Sequence, residues 1–84
     1  MRNKFYEIEN LHTDEKYLYL TVDHQPYRIR WADCSRHLLA ATKEQRETMV
    51  IAPSGYGLHW PLVDEDLAIS PLLKKAERFE IETV

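Results

Sequence analysis

Cys34 is the only cysteine, so no disulfide can close within the chain and no four-thiolate zinc site can form. A lone thiol fits a reducing compartment. Glycine is almost as scarce. Gly55 and Gly57 are the only two, and their "GYG" spacing matches neither the GxxxxGK[ST] nor the GxGxxG phosphate loop. Positive charge is not in excess: 11 Lys and Arg against 14 Asp and Glu leave a net charge of −3. The chain as a whole therefore has no basic field to attract nucleic acid. Apolar runs span only a few residues, far short of a signal-peptide core or a membrane span. The expectation is a soluble, cytoplasmic protein without membrane association.

What is present suits a small globular domain: 84 residues, 44% apolar and 30% charged. A chain this short buries roughly 60–65% of its unfolded surface, which leaves a thin stability margin. One domain over 1–84 is expected. Residues 5–11 mix apolar and acidic side chains in rough alternation and read as a first strand. "YLYLTV", 17–22, is a second strand, with Leu18, Leu20 and Val22 on one face and Tyr17, Tyr19 and Thr21 on the other. Asp23-His24-Gln25 makes a turn. "YRIRW", 27–31, alternates again, with Tyr27, Ile29 and Trp31 inward and Arg28 and Arg30 outward.

Residues 33–41 read as a first helical piece, with Leu38 and Leu39 as its apolar stripe and Asp33 or Ser35 as its cap. "TKEQ", 42–45, matches a capping box that starts a second piece. "TMVIA", 48–52, and "LHW", 58–60, are expected to pair as a hairpin across the turn at 53–57, ending at Pro61. Ser70-Pro71 reads as the cap and first residue of a last helix, packed through Leu72, Leu73 and Ala76. The tail "RFEIETV" alternates and reads as a late strand or a frayed end. The fold class that follows is α+β: an antiparallel four- to five-stranded sheet with two or three short helices. Trp31, Leu18, Leu20, Ile29, Leu38 and Trp60 are the expected core.

Few residues carry chemistry. Asp64, Glu65 and Asp66 are consecutive, so their side chains diverge, and they read as charges favoured by the start of a following helix. His12, His24, His37 and His59 show no helical metal pair, no HExxH and no cysteine–histidine cluster. His59 reads as an exposed or hydrogen-bonded sheet histidine. Cys34 and His37 stand i, i+3 and could form a reactive pair, but a small packed thiol is the preferred role. Tyr17, Tyr19, Arg28 and Arg30 are the candidate interaction face, suited to a protein partner or, as the second choice, to stacked single-stranded RNA.

The stretches "YLYLTV", "YRIRW", "SRHLLAATKEQRETMVI" and "GYGLHWPLVDEDLAISPLL" resemble the small prokaryotic domain-of-unknown-function family 2442. Its members show a leucine pair, a TxEQR-like helix start, a strand and a G-x-HWP-x-x-DEDLSI-x-x-LL ending. The resemblance covers about 5–73 and leaves 74–84 as a C-terminal extension. It also marks Gly55, Gly57, His59, Trp60, Pro61, Asp64, Glu65 and Asp66 as signature residues, read here as structural. One departure is Asp23-His24, where the family has an Asp-Gly hairpin. The resemblance implies a small α+β domain, often encoded beside another small protein in gene pairs suspected of toxin–antitoxin-like behaviour. Some members add a helix-turn-helix domain, for which this chain is expected to have no room.

The leading expectation is a non-enzymatic interaction module with no cofactor and no metal, bound to a small protein partner or to a second copy of itself. It would be the antitoxin-like member of such a pair. The alternative is a nucleic-acid-associated regulator using the Arg/Tyr face. A small metal-dependent hydrolase built on His59 with Asp64 or Asp66 ranks last.

Overall fold

Two adjacent residues with positive φ, Asp23 at 50° and His24 at 73°, reverse the chain between the second and third strands. That geometry is the two-residue hairpin turn whose twist matches the flanking strands. Histidine thus holds a position where glycine would be unstrained. The computed structural model describes residues 6–80, apart from the side chain of Ser54. Strands β1 (Ile8–Thr13), β2 (Tyr17–Val22) and β3 (Gln25–Arg30) form an antiparallel meander. Strand β4 (Val50–Ile51), β5 (Gly57–Trp60) and β6 (Glu65–Ala68) form a second antiparallel sheet in that order. Strand β7 (Glu77–Arg78) returns to pair with β3 and completes a four-stranded sheet ordered β1-β2-β3-β7. The α+β class and the antiparallel pairing are as expected, with the strands shared between two sheets. Of the 78–84 tail only Arg78 lies in a strand, as the second residue of β7; Phe79 and Glu80 are irregular, and residues 81–84 lie outside the described residues.

The helical region is more broken than its sequence implies. Strand β3 stops at Arg30, and Trp31 opens α1 (Trp31–Cys34) instead of ending the strand. Ser35 is extended, with φ −172° and ψ 161°, and its Oγ accepts from the Leu38 N–H at 3.1 Å. A serine that can cap thus divides the expected 33–41 helix into α1 and α2 (Arg36–Leu39). The capping box is present at α3 (Lys43–Glu47). Thr42 Oγ1 accepts from the Gln45 N–H at 3.1 Å, and Gln45 Oε1 accepts from the Thr42 N–H at 2.8 Å.

The last helix, α4 (Ile69–Lys75), starts one residue before the expected Ser70 cap. Ile69 is buried and its N–H donates to Tyr56 O at 2.8 Å, which fixes the start. Ser70 Oγ is instead bonded to Tyr6 Oη at 2.6 Å. Pro71 is tolerated because the first-turn N–H groups have no partner within the helix.

One core joins these parts. Leu18, Leu20, Val22 and Ile29 cover the inner face of the four-stranded sheet. Trp31, Cys34 and Leu38 come from the helical segment, Leu58 and Trp60 from β5, and Ile69 and Leu72 from α4. Every residue expected in the core is at most 2% exposed. Leu39, expected beside Leu38 in the apolar stripe, is 51% exposed.

Candidate functional site

The signature stretch is built as a hairpin. Gly55 has φ +65°, and Gly57 is packed so closely that a Cβ would lie 2.9 Å from Leu67 O. Leu58 and Trp60 point into the core, and His59 points away from it. Trp60 Nε1 donates to Arg46 O at 3.0 Å. Past the exposed Pro61, the turn closes through Val63 N–H to Trp60 O at 3.3 Å and through Asp64, whose φ is 52°.

The three acids do not stand at the start of a helix, contrary to expectation: they occupy a turn and the first half of β6, which runs to Ala68 before α4 begins at Ile69. Asp64 occupies the left-handed turn that short polar side chains tolerate. Glu65 and Asp66 begin β6, so they face opposite sides of the sheet. Each meets a histidine. Glu65 Oε1 lies 3.1 Å from His37 Nδ1, and Asp66 Oδ1 lies 2.6 Å from His59 Nδ1. Among the described residues His59 thus pairs with Asp66, while Asp64 stands in the turn. Among the described residues no group of three or more His, Cys, Asp and Glu could hold a metal.

Cys34 is packed as expected, and burial pushes its thiol up to about 12, with the nearby Asp33 charge adding to the effect. The folded value lies above the ordinary thiol value of 9.0, so the protonated thiol contributes fully below about pH 9. That contribution is lost as pH rises towards 12. Native protein at pH 8 should resist alkylation by iodoacetamide, with labelling appearing only as the chain unfolds. A Cys34→Ala variant should lose less stability than wild type between pH 9 and 12. Urea melts across that range measure it; equal slopes would contradict the assignment.

Tyr17, Tyr19, Arg28 and Arg30 do share the outward face of the four-stranded sheet, in the cross-strand register Tyr17↔Arg30 and Tyr19↔Arg28. Two further residues join them. His12 stacks on Tyr19 with centroids 4.7 Å apart and planes 4° apart, and Phe79 meets Tyr19 edge-on at 6.0 Å. A bulge between Glu9 and His12, with Asn10 at φ 53°, inserts one residue into β1 and sets the face on which His12 lands. Simple alternation could not place it.

Charge on this face is largely internal. The Arg28 guanidinium lies 4.6 Å above the Tyr17 ring, and its Nε donates to Glu77 Oε1 at 2.8 Å. That bond raises Arg28 and holds the Glu77 carboxyl below its usual range. Tyr19 Oη donates to Asp14 Oδ2 at 2.7 Å, which raises the phenol. Asp14 titrates low: burial opposes ionisation, but bonds from Tyr19 Oη and from the N–H groups of Tyr17 and Lys16 outweigh it. The Arg30 side chain is exposed and, among the described residues, makes no hydrogen bond or ion pair, while its charge helps to hold the Glu77 carboxyl low.

Arg46, the arginine of "TKEQR", is a structural hub. Its Nε donates to Leu38 O at 2.8 Å and its Nη2 to Leu39 O at 2.7 Å, which satisfies the end of α2. Its guanidinium lies 4.8 Å over the Trp31 ring. With the Trp60 bond to Arg46 O, the two most distinctive stretches of the chain hold each other.

The model of a family described as "Protein of unknown function (DUF2442)" matches residues 8–78, a span that runs from β1 through β7. The chain belongs to this family. No curated protein and no solved structure matches it significantly.

Proposed function

We propose that this member of the DUF2442 family is a non-enzymatic docking domain for a small protein partner, the antitoxin-like half of a two-protein pair. The observation that supports this reading is the packed face of His12, Tyr17, Tyr19, Arg28 and Phe79. Tyrosine and arginine are enriched at interface hot spots. Here their side chains are already held by one another, so binding would cost little ordering entropy. Single-stranded RNA is the second reading. The ring contacts weigh against it, because Arg28 covers Tyr17 and His12 covers Tyr19, where a base would have to stack.

Calorimetric titration with the product of the neighbouring gene tests the proposal. Tyr17→Ser with Tyr19→Ser should weaken binding by about tenfold or more, the effect of losing one hot-spot residue. Binding unchanged in the folded double variant would sink the proposal. A saturable, steeply salt-dependent affinity for RNA would favour the second reading.

A further inference from the structure

Lys16 in the β1–β2 turn, Arg30 at the end of β3 and Arg46 on α3 line one open hollow of about 410 Å³. That volume lies within the range of about 300–1,000 Å³ typical of binding pockets. Among the described residues the side chains of Lys16 and Arg30 have no hydrogen bond or ion pair, and Arg30 feels the Glu77 carboxylate only at longer range. Arg46 donates to backbone carbonyls, which leave its charge uncompensated. Among the described residues Glu15 is the one carboxylate in the lining, so three cations face one anion in a chain whose net charge is −3. The remaining wall is apolar: Trp31, Tyr17 and the half-exposed Leu39.

We infer that this hollow is a carboxylate-binding site for an acidic segment of a protein partner, in which a Glu or Asp side chain stands beside an apolar one. The inference rests on the docking reading and deepens it, since Tyr17 and Arg30 belong both to the sheet face and to the hollow. The carboxylate meets Lys16 and Arg30, and its apolar neighbour lies against Leu39 and Tyr17. Because the hollow is open, its occupant stays attached to a larger body, as a peptide segment does. A nucleotide fits less well. Trp31 is 2% exposed beneath the Arg46 guanidinium and offers no ring face to a base.

The probe is a fluorescein-labelled, end-capped hexapeptide of alternating Glu and Leu, followed by anisotropy at low salt. Lys16→Gln with Arg30→Gln should weaken its binding by about tenfold or more, as should replacing its Glu by Gln, because the charge pairs carry recognition. Glu15→Gln should tighten it about threefold by removing the repelling carboxylate. Both cations are at the surface, so the double variant should keep its melting temperature. Equal affinity of the double variant, equal affinity of the Gln peptide, or tighter binding of a thymidine decanucleotide would each overturn the inference. If the peptide fails while Tyr17→Ser with Tyr19→Ser still weakens the native partner, the hollow is wrong and the docking face stands. If both fail, so does the docking reading.

Discussion

Replacing Trp60 by Ala should destabilise the protein by about 3–5 kcal/mol, the range for deleting a buried tryptophan. Trp60 is 0% exposed, and its ring is part of the contact between the three-stranded sheet and the rest of the core. Its N–H also satisfies Arg46 O, and leaving a buried carbonyl unpaired adds about 1–3 kcal/mol where water cannot replace the donor. Small domains have total stabilities of about 5–15 kcal/mol, and this chain is expected near the low end. Trp60→Ala should therefore be largely unfolded at 37 °C. Trp60→Phe weighs the two contributions, since it loses the hydrogen bond but keeps most of the buried apolar volume. It should cost less than half as much. Urea melts followed by circular dichroism check both variants. A Trp60→Ala melt that overlays wild type would show that the signature stretch is not the scaffold proposed here.

That interlock also shows where sequence reasoning holds. Alternation over 17–22 and 27–30 placed Leu18, Leu20 and Ile29 inward and the Tyr/Arg set outward, because period-2 burial leaves a direct imprint on residue type. The Thr42–Gln45 box is equally legible, because its hydrogen bonds are local. Ser35 is harder: it is compatible with helix, and only its extended backbone reveals that it divides one. The acids at 64–66 were misleading for a related reason. A run of acids ahead of an apolar stretch looks like a helix start, whereas Asp64 supplies a left-handed turn and the following residues pair with β5. The aromatic face was half legible. Its β2–β3 members follow from pattern, but His12 depends on a bulge and Phe79 on a tail that returns to the sheet. The hollow was not legible at all, since Lys16, Arg30 and Arg46 come from three elements with no shared spacing.

Gly55 should be the least replaceable residue of the 53–57 turn. Its φ of +65° lies in the left-handed region, where a side chain costs about 1–2 kcal/mol and a β-branched one more. Strain is the smaller part of the effect. A Cβ at Gly55 would lie 2.1 Å from Tyr6 O, a backbone atom that cannot rotate aside. Either the segment around Tyr6 moves away, or the turn opens and takes with it the Ala52 N–H bond to Gly57 O. Overpacking of this kind adds about 1–3 kcal/mol. Gly55→Val should thus cost about 3 kcal/mol or more, while Tyr56→Ala, at a side chain 60% exposed, should cost under about 0.5 kcal/mol. Gly55→Asn distinguishes the causes. Asparagine tolerates positive φ, so it removes most of the strain and retains the collision. If the collision dominates, Asn should destabilise nearly as much as Val. Thermal melts of the three variants decide, and a Gly55→Asn protein as stable as wild type would mean that the Tyr6 segment yields freely and does not lock the turn.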